Sequence, residues 1–543
     1  MTFANRKFIR LLGAATVVIV AEYVLVLSDC VISGRVLGET ALGAMNLLMP
    51  VFSTVSFFTW LLAVGTSIVY ADAIGRMEAE RAAGLAGQGL AVAGGMGIAL
   101  AALAALAKGP YLAFMAPDAA TVGFAGAYWT WYPLVAFLES VDMLLLYLVY
   151  TDGGERACLV SYVGQVVVNV AGSYWLCTRI GMAGISLGTV FAYVVGIAAL
   201  LPWLLSRSCG LRFRFHFVPR DLARSLRASF GDASAGLFHA LLFFVVTKYV
   251  LSSWGPSLLP VAAIVFCVVR LTVFFNGVGI ALQPLETVYH GEGNDTAVVQ
   301  LVCFAAVVSL AEGFLIALLM IGFPGLVIAL VGLDDARLLP LAEQAVRLTA
   351  VGLPGYAIVY MFNSHFQYVG RPGRSLLLTA GAFFLAPVFL VLLMGWWLGL
   401  EGVWLAVAAG PLCALLPLIP SSLKVRTGDQ PVGMRTVRVG TGRTLEAAER
   451  SLDGLVSSAG LGEPLRQSVF GSVRRAVRRI AERNPSRKIC VEVSLDRRGE
   501  VKVTVRDDGV PFALDDVGAP RCRHAPAAGF NRNVLAWPFG RNG

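Results

Sequence analysis

Two carboxylates stand where hydrocarbon is expected. Glu22 and Asp29 fall in the apolar run that follows Arg6, Lys7 and Arg10. They are two helical turns apart, so they share a face about 10 Å apart along the axis. A charge inside a membrane helix costs about 2.5–3.5 kcal/mol even on the lenient insertion scale, so it normally faces a partner or a water-filled cavity. Two acids on one such face can bind or relay a proton, or hold a small cation. Glu139 and Asp142 also share one helical face. They are expected either to line a cavity for a cationic solute or to meet a basic partner. In the second half Asp232, Lys248, Arg270, Glu286 and Glu312 are expected to pair with one another. His239 and His365, whose ordinary pKa lies near neutrality, are expected as polar packing residues.

The helices that must hold these acids follow from composition. The chain has 543 residues, 57% hydrophobic and 14% charged, against about 25% charged in soluble domains. This is a polytopic membrane protein. The net charge of +9 is read through the excess of Lys and Arg on cytoplasmic loops, and no nucleic-acid partner is expected. The nine cysteines are scattered without a C-x-x-C pair, so neither a metal site nor a disulfide framework is indicated. The stretch from Leu27 to Pro50 reads as the end of a first membrane helix, a short outer loop and the start of a second.

Spans of about 20 apolar residues, enough to cross a bilayer, recur along the chain. Their centres lie near Ile19, Phe57, Gly97, Val135, Val167, Tyr193, Phe243, Val268, Val307, Tyr356, Val388 and Leu405. About twelve membrane helices are expected, with Pro133, Pro354 and Pro387 inside them. Arg and Lys concentrate in the segments that this count places in the cytoplasm, above all in Ser206–Arg227, so both termini are expected inside. Two motifs recur 218 residues apart: Tyr150 and Arg156 match Tyr368 and Arg374, and Gly181-Met-Ala-Gly184 matches Gly399-Leu-Glu-Gly402. The expected fold is all-α, two six-helix repeats over 1–206 and 229–423 joined by a cytoplasmic connector, 207–228. A binding site is expected between the repeats near the midplane.

Asp29, Gly34, Gly38, Ala41, Leu42, Ala44, Asn46 and Pro50, with Gly65, Ser67 and Gly75 and with Gly279, Gln283, Pro284 and Gly291, form an ordered set of motifs. In these the chain resembles the multidrug and toxic compound extrusion (MATE) family. The resemblance covers roughly residues 7 to 423. It implies a secondary exporter in the plasma membrane, driven by a proton or Na+ gradient, that carries drug-like or organic-cation compounds. Asp29 matches the family's first-helix acid and Asn169 its fifth-helix amide. Ser173 stands where a second acid is usual, so the cation site is thinner than the family's. Glu22, Glu139, Asp142 and Gln283 complete the expected ion and substrate sites. No catalytic residue and no bound cofactor are expected. A flippase for lipid-linked sugars on a related fold is the alternative within transport; a membrane sensor is the alternative outside it.

After about Lys424 charges become frequent and apolar runs shorten. Residues 430–543 are expected to form a small cytoplasmic α/β sandwich. Strands are expected near Val437, at Ile489–Leu495, at Val501–Arg506 and in GFNRNVLAWPF, and helices at Leu445–Ser458 and Pro464–Arg483. The segment Val505-Arg-Asp507-Asp-Gly509-Val-Pro511-Phe512, with Gly529-Phe-Asn531-Arg532, resembles the histidine-kinase-like ATP-binding fold of anti-sigma factors. The resemblance implies that Asp507 and Gly509 are the remnant of an adenine site. The helix that holds magnesium in that family here reads SVFGSVRRAVRRIAER and lacks its acid and amide, so ATP is not expected to bind. Arg474, Arg475, Arg478 and Arg479 form a basic stripe, expected to be a solvated face or to meet an acidic partner or anionic lipid.

Overall fold

A computed structural model describes residues 3–115, 119–206, 209–331, 337–415, 433–439, 443–459, 461–484, 489–496, 500–508, 514, 517–524 and 531–538. Gly509, Pro511, Phe512 and Gly529 lie outside the described residues, as do the side chains of Glu22 and Asn46. Among the described residues nine helices are long and apolar enough to cross a membrane, or ten if the bent pair Leu339–Ala350 and Leu353–Tyr368 is one span.

The first half runs through α1 (Phe3–Ile32), α2 (Glu39–Gly75), α3 (Ala79–Met115), α4 (Ala119–Tyr128), α5 (Tyr132–Asp152), α6 (Glu155–Ile180) and α7 (Met182–Leu204). The loop expected between α1 and α2 shrinks to almost nothing. A π-helical turn, Ser33–Leu37, extends α1, and Gly38 alone breaks the chain at φ 93°, a conformation glycine adopts without steric cost. The buried pair of Lys7 Nζ and Glu155 Oε1, 3.1 Å apart, ties α1 to α6. Removing one partner of such a pair costs about 3–5 kcal/mol.

The second half follows as α8 (Pro219–Ala233), α9 (Ala235–Trp254), α10 (Leu259–Arg270), α11 (Asn276–Gly291), α12 (Asp295–Gly322), α13 (Gly325–Val331), α14 (Leu339–Ala350), α15 (Leu353–Tyr368), α16 (Pro372–Ala380) and α17 (Ala386–Leu415). Pro133 and Pro354, expected inside helices, instead stand in the first turns of α5 and α15. There the missing N–H removes no helical bond.

The duplicated motif has a conformational cause. Gly181 sits at φ 66°, ψ −142° and Gly399 at φ 65°, ψ −144°. Three residues on, a Cβ at Gly184 would lie 2.3 Å from the Leu176 carbonyl carbon, and one at Gly402 would lie 2.1 Å from the Met394 carbonyl oxygen. The first glycine of each motif turns the corner and the second lets the returning helix touch the preceding one. A Cβ at Gly410 would meet the Pro387 ring, so the apolar run after Pro372 is a helical hairpin.

The hydrophobic cores divide unevenly. One core draws on both halves, including Phe8, Leu62, Tyr70, Leu285 and Tyr289. At the opposite end each half keeps its own: Met45, Trp129 and Ile185 in the first, Val265, Tyr356 and Trp404 in the second. Among the described residues, the core that both halves share lies toward the end where α2 and α11 finish.

The tail docks at that end. Its five strands, β1 (Gly433–Val439), β2 (Ile489–Asp496), β3 (Glu500–Asp507), β4 (Arg521–His524) and β5 (Asn531–Pro538), form an antiparallel sheet in the order β1-β2-β3-β5-β4. The short β4 is not among the expected strands. Val491, Val493, Val503, Val505 and Leu535 pack with α18 (Arg443–Ser457) and α19 (Glu463–Arg483) in one core. Each such side chain contributes about 1.5–3 kcal/mol relative to exposure. The alternate residues Glu492, Arg506 and Arg532 point to the opposite face, where they meet the helical part.

Candidate functional site

Asp29 lies near the end of α1 and is buried. Its Oδ2 accepts hydrogen bonds from Thr189 Oγ1 of α7 at 3.2 Å and from the Tyr128 hydroxyl of α4 at 3.5 Å. Asn169 of α6 donates from Nδ2 to Thr189 Oγ1 at 3.1 Å and accepts from Ser28 Oγ at 2.8 Å. Four helices thus converge on one carboxylate, and Thr189 stands between Asp29 and Asn169. Asp29 Oδ1 is buried and has no hydrogen-bond partner among the described residues. A lone acceptor in so enclosed a place has the chemistry to take a proton or a small cation.

Ser173 adds no acid to this set. Its hydroxyl donates to the Ile185 carbonyl at 3.2 Å, and a Cβ at Gly188 would come within 2.3 Å of it. The side chain is locked into the α6–α7 contact.

Glu139 and Asp142 do not act as one pair. Glu139 Oε1 accepts from Ser56 at 2.7 Å and from Thr59 at 3.4 Å, both on α2. Asp142 Oδ2 accepts from Gln165 Nε2 at 3.1 Å, while Oδ1 has no partner among the described residues. Gln165 is one turn before Asn169 on α6, so Asp142 joins the helix face that carries the Asp29 cluster. Among the described residues neither acid meets a basic group. Gln283 lies elsewhere: it donates to Ser67 Oγ at 2.5 Å, in the contact between α11 and α2.

The expected ion pairs of the second half are not formed. No ion pair links Asp232, Lys248, Arg270, Glu286 and Glu312 to one another among the described residues. Asp232 instead accepts from Trp60 Nε1 at 2.7 Å and from Asn363 Nδ2 at 3.2 Å. Asn363 Oδ1 in turn accepts from Ser375 at 2.5 Å and Thr379 at 2.9 Å. Glu286 bonds to His365, which is therefore more than packing. His239 stacks on Phe383 with ring centres 4.3 Å apart. Helical phase decides these partners, and charge sign along the sequence carries none of it. Thr189, Tyr128, Trp60 and Asn363 were missed because single hydroxyl, indole and amide groups in apolar helices show no pattern.

In the tail, Asn531 Nδ2 donates to the buried Asp507 Oδ1 at 3.0 Å. Arg475 Nε donates to the Val517 carbonyl at 2.9 Å. A guanidinium thus lies against the segment after β3, and it cannot ligate a cation. The basic stripe is largely committed within the domain, since Arg474 and Arg478 also bind Glu449, at 2.9 Å and 2.6 Å. The Arg478 hydrogen bond leads in holding the Glu449 carboxyl below its ordinary range.

The MatE family model matches residues 14–175 and 235–392; the first span includes Asp29, Tyr128 and Asn169, and the second includes Asn363. Among curated proteins none matches the chain. Solved structures with the same fold include a MOP superfamily transporter from Pyrococcus furiosus, described as having a binding pocket of reverse polarity that suggests a different function. It is 18% identical, with a TM-score of 0.70, over 76% of this chain and 94% of that one. A MATE in a straight conformation is 20% identical, with a TM-score of 0.71, over 76% and 94%. An outward-facing multidrug resistance MATE transporter of the MOP superfamily is 19% identical, with a TM-score of 0.71, over 78% and 97%. These structures share the fold, and the family model covers more than half of the sequence: the chain belongs to the MatE family.

Proposed function

We propose that this protein is a secondary exporter of drug-like or organic-cation compounds, an antiporter driven by a proton or Na+ gradient. The observation that supports this most is Asp29, a buried membrane carboxylate with one oxygen held by Thr189 and Tyr128 and the other unpartnered. Loading of that oxygen stabilises one arrangement of the helices around α1 over another. Glu139 and Asp142, which meet no basic group among the described residues, supply the negative lining that suits cationic cargo. The helices make twelve crossings in two lobes, 1–206 and 229–423, with 207–228 as connector. The protein lies in the plasma membrane with both termini and the tail, 430–543, in the cytoplasm. External labelling of a C-terminal tag on intact cells would overturn that orientation. The test of function is flux of a fluorescent organic cation in proteoliposomes under an imposed proton or Na+ gradient. Flux that ignores both gradients would exclude coupling.

The tail needs no ATP turnover in this reading. Asp507→Ala is expected to leave export within about twofold of wild type, since a surface-distant contact within the tail touches neither ion nor cargo. Export that requires ATP and stops in Asp507→Ala would reveal a working ATPase.

A further inference from the structure

We propose that the C-terminal domain is a latch across the seam between the two halves, holding the tail-side gate shut until the domain lets go. This rests on the transport reading above, in which that seam must open once per cycle.

The seam includes the contact of α2 with α11, beside those of α2 with α8 and α1 with α11. Gly75 and Gly291, the last residues of these helices, approach so closely that a Cβ on either would lie 2.9 Å from the other's Cα. This contact lies in the core that the halves share. The domain grips both ends of this contact at once. Arg532 of β5 donates to the carbonyls of Ile74 at 2.5 Å and Gly75 at 3.3 Å, and to Glu292 Oε1 at 2.8 Å. The first two are the final carbonyls of α2, the negative end of a helix dipole. Glu292 follows directly on α11. One guanidinium therefore spans the two halves.

A second arginine completes the grip. Arg506 of β3 pairs with the other oxygen of Glu292, and with Glu492 at 3.0 Å. Its guanidinium lies 4.9 Å from the centre of the Tyr289 ring, and the Tyr289 hydroxyl donates to Glu492 at 3.1 Å. Arg506 and Arg532 are paired across β3 and β5 and are 1% and 0% exposed. Two guanidiniums and two carboxylates form a set of balanced charge. Parting α2 from α11 while the domain stays in place would strand a buried charge, which is strongly unfavourable. Gate opening and domain release are thus one event.

Two further features sit at the same spot. Met77, two residues past the end of α2, sits at φ 63°, a region that side chains other than glycine rarely enter. The equivalent turn after α11 uses Gly293, at φ 71°. Met77 Sδ lies 3.0 Å from Arg532. Arg6 at the start of α1 meets Asp508 at 3.6 Å, a second tie beside the first.

The test uses the full chain. Ser67, buried in the seam beside Gln283, becomes a reporter as Ser67→Cys in a background without native cysteines. An impermeant maleimide is applied from the tail side of oriented vesicles. In the Arg506→Ala/Arg532→Ala double variant, labelling is expected to accelerate at least about fivefold over the parent. An unchanged rate overturns the latch. This readout needs neither cargo nor ion, so it stands even if the transport reading fails. The second arm keeps the latch arginines and tethers the domain through Arg6→Cys and Asp508→Cys with a cleavable bis-maleimide. Export is expected to stop on tethering and to return on cleavage. Tethered protein that exports at the untethered rate overturns the proposal.

Discussion

Asp29→Asn is expected to abolish gradient-driven export while the protein remains folded and inserted. Asparagine preserves the shape and can still accept from Thr189 and Tyr128, which hold Oδ2 at 3.2 Å and 3.5 Å. What it loses is the charge and the second oxygen that has no partner. An ion shifts a conformational equilibrium only by its difference in affinity for the two states, and an amide binds a proton or Na+ too weakly to supply one. Coupling free energies in such systems correspond to about 5–150-fold. Gradient-driven flux should therefore fall by at least about tenfold toward the ungated leak, measured in proteoliposomes beside wild type at equal reconstitution. The melting temperature should stay or rise, because removing a buried charge relieves its desolvation. Wild-type flux from Asp29→Asn would remove this residue from the mechanism and shift attention to Asp142 or Asp232.

Gly75→Val is expected to prevent the tail-side end from closing. A Cβ at Gly75 would lie 2.6 Å from the Val288 carbonyl oxygen and 2.9 Å from Gly291 Cα. Both neighbours are backbone, so no rotamer change relieves the clash. Overpacking costs about 1–3 kcal/mol, and each 1.4 kcal/mol is about tenfold in an equilibrium. Since the clash exists only where α2 touches α11, it penalises the closed arrangement. Export should fall about tenfold or more, and labelling at Ser67→Cys from the tail side should rise in parallel. Gly291→Val should behave alike, because each glycine faces the other. Closed-state labelling combined with normal export from Gly75→Val would show that this contact is not a gate.

The acids and amide of the first half were legible because each is conspicuous in its surroundings. A carboxylate in an apolar run is costly, so Asp29, Glu139 and Asp142 stand out by type alone. Asn169 added a polar group with a family counterpart. Their division of labour was not legible. Whether Asp142 faces Glu139 or Gln165 depends on how α5 is rotated against α6, and three residues of spacing leave both open. The same limit undid the expected ion pairs after Asp232. Charges of opposite sign were present, yet the helices turned Asp232 toward Trp60 and Asn363 and turned Glu286 toward His365.

The tail shows the same boundary at the level of a domain. Alternating valines marked β2 and β3, and long amphipathic runs marked α18 and α19. β4, Arg521–His524, has no apolar alternation and is exposed along most of its length, so only its pairing with β5 reveals it.

By itself the sequence determined the periodic and the costly features: apolar spans, the duplicated Gly181 and Gly399 corners, and membrane carboxylates. These follow from local rules, namely the hydrocarbon thickness, the left-handed backbone of a glycine corner, and the cost of charge in lipid. Tertiary structure alone decided who meets whom. Arg506 and Arg532 stand in two strands of the tail and Glu292 directly follows α11. Their meeting at the end of α2 needs three segments from distant parts of the chain in one orientation. Long-range contacts of that kind arise from shape and burial across the whole molecule, and no spacing within any one segment encodes them.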